Sequence, residues 1–112
     1  MSLNPQTAHV ASASLNQTVG DWTGNRARIL DAIAEAKQRG VRLLLLPELC
    51  VPGYSLGDRL LRRGTLERSW SSLMDIVPHT QGLVVLLGLP ISHRDVLYNA
   101  VAVVANGRVW GL

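Results

Sequence analysis

Residues 43–54 read LLLLPELCVPGY, and this stretch decides the fold. Four successive leucines show no polar alternation, the pattern of a strand covered on both faces, as in a parallel sheet. Pro47 ends the apolar run and an acid, Glu48, follows at once. The strand therefore spans 41–46, with Glu48 just past its C-terminal end, the edge at which open α/β sheets gather their ligands. Between an apolar strand and CVPGY the carboxylate is expected to be partly desolvated, which raises its pKa and makes it a better proton acceptor near neutrality. A loop acid that caps a helix or pairs with an arginine is an equally open reading of the same position.

Upstream, the short apolar run at 10–15 gives way to the polar NQTVGD, a first strand followed by a loop. From Arg26 to Arg39, Ile29, Leu30, Ile33, Ala34 and Ala36 recur at helical spacing, with Arg28, Asp31, Glu35 and Gln38 opposite. Thr23 or Asn25 is the expected N-cap, and Gly40 stands where a left-handed residue closes a helix. Strand, helix, strand is a βαβ unit. Downstream, Leu66, Trp70, Leu73, Met74 and Val77 share one helical face, and LVVLLGL at 83–89 is a second strand expected to be covered on both faces. Runs at 101–104 and 108–112 flank Asn106-Gly107, a strong hairpin signal because both residues tolerate positive φ. The fold class is α/β, a mixed sheet with helices packed on it.

The chain has 112 residues, of which 47% are hydrophobic and none is Phe, enough for one aliphatic core and too few for two domains. Residues 1–112 are thus one unit, with Met1–Leu3 compatible with an added leader. A lone cysteine, Cys50, excludes an internal disulfide, and the N-terminus lacks the charged and apolar regions of a signal peptide, so a cytoplasmic location is expected. No apolar run is long enough to span a bilayer, which argues against a membrane partner. The net charge of +3 rests on arginine, Lys37 being the sole lysine. Arg59, Arg62, Arg63 and Arg68 form the densest basic patch, yet no aromatic side chains interleave with them, so nucleic acid is not the expected partner.

Other candidates for chemistry are weaker. Cys50 stands two residues from an acid, but free cysteine is commonly buried and nothing adjacent would stabilise a thiolate. Lys37, near a helix C-terminus, is explained by the helix dipole. HRDVLYN at 93–99 resembles a kinase catalytic loop only superficially: Asn99 is one residue too close to Asp95, and no Gly-rich loop accompanies it. His9, His79 and His93 are too scattered for a metal site, and no phosphate-cradling glycine motif is present.

Taken together and in order, LNQTVGD, GN with ARIL, AKQRGVRLLLLPEL, GYSLGD, GLPISHRD and YNAV resemble a carbon–nitrogen hydrolase of the nitrilase superfamily. Within it they look most like the N-terminal glutaminase domains of glutamine-dependent NAD synthetases. The resemblance implies an α-β-β-α sandwich, present here only in part, and a Glu-Lys-Cys triad that hydrolyses an amide. It places the triad's general base on Glu48 and a tyrosine beside the glutamine pocket, a weaker transfer, on Tyr54. The family's lysine follows the strand matched by residues 108–112 and its cysteine comes later still, so Lys37 and Cys50 fill neither role. Glutamine is the implied substrate, with ATP, magnesium and deamido-NAD belonging to a synthetase domain outside these residues. The chain alone is then expected to be inactive, cofactor-free and prone to homo-oligomerise. Another carbon–nitrogen hydrolase, of amidase or ureidopropionase type, is one alternative. A non-catalytic α/β interaction module using the arginine patch is the other.

Overall fold

Asp21, rather than Thr23 or Asn25, starts the first helix: its carboxylate accepts the Gly24 N–H at 3.0 Å. An acceptor three residues before an unpartnered helical N–H is what an N-terminus needs, so helix α1 begins earlier than the apolar periodicity suggests and spans Trp22–Gln38. In this computed structural model, which describes residues 7–112, Ile29, Ile33 and Ala36 form its buried stripe, while Ala34 turns outward. Arg39 caps the C-terminus and Gly40 follows at φ +71°, as expected. The leader suggested at residues 1–3 lies outside the described residues.

Strands β1 (Val10–Ser12), β2 (Leu43–Leu45) and β3 (Val84–His93) run parallel, and β4 (Val96–Ala105) and β5 (Arg108–Gly111) add antiparallel, in the spatial order β1-β2-β3-β4-β5. Helix α2 (Arg63–Ile76), entered through a 3₁₀ turn at Gly57–Leu61, makes the second crossover. Both helices cover one face of this mixed sheet. There Leu44, Val85, Leu87, Leu89, Ala102 and Val104 pack with Ile29, Ile33, Leu73 and Ile76 into the core.

The other face is open. Val10, Leu45 and Val101 are 66%, 46% and 49% exposed, and Leu43, Leu86 and Val103 are half-buried. The expectation that the 41–46 and 83–89 strands are covered twice is therefore corrected: unbroken apolar sequence reflects two apolar faces, but only the helix-bearing one is packed within this chain. Helix α2 carries the expected apolar face, only part of which is packed. It buries Ser69, Ser72, Leu73 and Ile76, and leaves Trp70 and Met74 exposed over a groove of about 1650 Å³ beside β3 and β4. Finally, HRDVLYN is neither loop nor motif but the β3–β4 hairpin, turned by Arg94 and Asp95 at φ +51° and +62°.

Candidate active site

The backbone that presents Glu48 is set by two strands and a loop. Leu46 N–H still reaches the Leu86 carbonyl at 2.8 Å, extending the β2–β3 ladder by one bond. Pro47 cannot donate the next one. The chain turns, with Leu49 at φ +50°, and returns to β3 where Val51 N–H meets the Gly88 carbonyl at 3.2 Å. The turn lies directly on Gly88, on the open face: a Cβ there would stand 2.3 Å from Leu49 N and 2.9 Å from the Glu48 carbonyl carbon. No side chain larger than hydrogen fits beneath it.

A polar lattice holds this loop from its other side. Asn25, fully buried on α1, accepts from Thr18 N–H at 2.9 Å and donates to the carbonyls of Thr18 and Val51 at 2.8 and 3.3 Å. Gln17 donates to the Cys50 carbonyl at 2.7 Å, and Arg28 donates to both Gln17 and Asn25 at 2.8 Å. Arg28 is thus folded onto the loop rather than displayed on a free helix face. Gly53, at φ +98°, completes the contact, since a Cβ there would lie 2.8 Å from Val19 Cα. LNQTVGD and the following Gly24-Asn25 thereby become a clamp on the loop that carries the acid.

Glu48 itself is exposed, so the expected desolvation is not found. The polar turn keeps its carboxylate on the uncovered sheet face instead of sinking it into the core. Its Oε1 accepts a hydrogen bond from the Asn99 side-chain amide. Asn99 stands opposite Pro90 on β4, so the bond passes from the end of β2 across β3 to the next strand. The reading from sequence missed Asn99: its one legible sign was a strand-averse amide amid apolar residues. Tyr54, just beyond Gly53, is 65% exposed and hydrogen-bonds to neither Glu48 nor Asn99.

Cys50 is 1% exposed, with Sγ 3.9 Å from the Gly88 carbonyl, and burial pushes its thiol up to about 11 despite that hydrogen bond. A thiol so protected is a core residue, not a nucleophile. The arginine patch disperses: Arg63 pairs with Glu67 at 2.9 Å, and Arg68 lies over the Trp22 ring at 6.0 Å. Among the described residues no group of three His, Cys, Asp or Glu is placed to hold a metal. No described helix is long and apolar enough to cross a membrane.

A βαβα sheet finished by antiparallel strands, with an acid presented past β2, is shared with a recognised family. The carbon–nitrogen hydrolase pattern matches residues 9–111, and the chain belongs to that family. Within it, the chain is 40% identical over 105 residues to the glutamine-dependent NAD(+) synthetase of Thermotoga maritima, covering 92% of this chain and 18% of that protein. The human glutamine-dependent NAD(+) synthetase is 39% identical over 102 residues, covering 89% of this chain and 14% of the enzyme. The crystal structure of a glutamine-dependent NAD(+) synthetase from Cytophaga hutchinsonii superposes with a TM-score of 0.90 at 39% identity, over 94% of this chain and 18% of that one. An amidase from Nesterenkonia sp., 23% identical with a TM-score of 0.75 over 93% of this chain and 41% of its own, shares the fold. The homology is to the glutaminase part of the synthetases, and the chain spans less than a fifth of the length of these synthetases.

Proposed function

We propose that residues 1–112 are the N-terminal part of a glutaminase domain that supplies ammonia to a glutamine-dependent NAD synthetase. The observation that carries this reading is Glu48, held on the open sheet face past β2 by a loop clamped from both sides. In the complete domain Glu48 takes the proton of a cysteine that lies outside these residues. The sulfur attacks the side-chain amide carbon of glutamine, a lysine outside these residues stabilises the oxyanion, and Glu48 returns its proton to the leaving nitrogen as the C–N bond breaks and ammonia departs. Glu48 then draws a proton from the water that hydrolyses the thioester to glutamate. Tyr54 borders the glutamine pocket. ATP, magnesium and deamido-NAD act in a separate synthetase domain, in a cytoplasmic homo-oligomer.

Two measurements test the reading. In the complete enzyme, Glu48→Gln should lower glutamine-dependent NAD formation by roughly a hundred- to ten-thousandfold while synthesis from added ammonium persists. Undiminished glutamine use by that variant would refute the assignment. The 112-residue chain should release no ammonia from glutamine, because a general base without its nucleophile retains little of a cooperative triad's effect.

A further inference from the structure

Asn99 is out of place by the logic of its strand. Strands disfavour Asn, and its neighbours Leu97, Tyr98, Ala100 and Val101 are all apolar. Its amide does not serve the ladder or a turn: it reaches a carboxylate 51 positions away. The turn that bears Glu48 can sit this close to β3 because Gly88 has no side chain to lift it. A hydrogen bond from an amide to a carboxylate is also of the stronger, charge-assisted class.

Among the described residues no Lys, Arg or His forms an ion pair with Glu48. The one titratable side chain of β3 is His93, three residues beyond Pro90, and that of β4 is Tyr98, which alternation turns to the opposite face from Asn99. On the loop itself Cys50 is buried with its Sγ toward Gly88, and Tyr54 stands beyond Gly53.

We propose that Asn99 is a positioning residue: its amide holds the Glu48 carboxylate in one orientation on the open sheet face. The inference rests on the reading of Glu48 as general base. Asn99 then acts only through Glu48, so its loss slows the proton transfers without removing a contact to substrate.

Steady-state glutaminase kinetics on the complete enzyme and its Glu48→Gln, Asn99→Ala, Asn99→Asp and double Glu48→Gln/Asn99→Ala variants test it. Asn99→Ala should lower kcat by roughly ten- to a hundredfold with KM changed by less than about threefold. Asn99→Asp, which keeps the shape of the side chain but lacks the amide donor, should be no faster than Asn99→Ala. The double variant should be no slower than Glu48→Gln alone. Loss of activity in Glu48→Gln with an unchanged kcat in Asn99→Ala would overturn the role of Asn99 and leave the general base standing. A lower kcat in Asn99→Ala that Asn99→Asp restores would show that shape and not the amide donor matters, and would overturn it as well. Full activity in Glu48→Gln would defeat the general-base reading, and this inference with it.

Discussion

Adding one methyl group at Gly88 should disable the loop that presents Glu48. The new Cβ would lie 2.3 Å from Leu49 N, 2.9 Å from the Glu48 carbonyl carbon and 3.0 Å from Glu48 Cα, all backbone atoms that no rotamer change can clear. Ordinary contact requires the turn to lift by about 1 Å, since overpacked sites respond by backbone shifts costing roughly 1–3 kcal/mol. Lifting also strains the Val51 N–H bond to the Gly88 carbonyl, worth about 1 kcal/mol. Gly88→Ala should therefore destabilise the fold by about 2–4 kcal/mol. Gly64→Ala is the matched control: no atom lies within 4 Å, its φ is not positive, and it stands in the first turn of α2. That change should be neutral or stabilising by up to about 1 kcal/mol. Urea titrations followed by far-ultraviolet circular dichroism give both values, with hydrogen exchange at Val51 reporting the local opening. An unchanged urea midpoint for Gly88→Ala would refute the account of how the loop is seated.

Asn25→Ala should cost about 2–4 kcal/mol in the same titration, because it orphans the Thr18 N–H, the Val51 carbonyl and one Arg28 donor around a fully buried position. Cys50 yields a pH dependence. Its thiol sits near 11 in the fold against an ordinary 9.0, so above pH 9 the unfolded chain releases the proton first. The stabilisation is complete below pH 9 and is lost as pH rises toward 11; Cys50→Ala should flatten that decline, and iodoacetamide at pH 8 should label the native thiol far more slowly than the urea-unfolded one.

The parallel core, the α1 crossover and the position of Glu48 past β2 were legible in the sequence, because each rests on local apolar pattern and one proline. The Asn106-Gly107 hairpin was legible for a similar reason: its two residues advertise the positive φ, +48° and +76°, that they adopt. The β3–β4 hairpin was not, since Arg94 and Asp95 take the same left-handed conformation without a glycine to announce it. Trp70 and Met74 share the expected helical face with Leu73 yet lie exposed, because helical spacing marks an apolar face without saying what covers it. Asn99 could not be read at all as a partner of Glu48, for their meeting depends on strand order and on the absence of a side chain at Gly88.

The spatial order of the five strands is also their order along the chain. Among the described strands, every one after the first thus pairs with the one made immediately before it. A sheet of this kind can grow outward behind the ribosome one strand at a time, with α1 and α2 closing on the same face as each crossover is completed. The turn bearing Glu48 precedes the strand that bears Asn99, so the acid emerges first and acquires its hold only when the β3–β4 hairpin folds over. Assembly of the site would then be timed by the hairpin rather than by the crossovers.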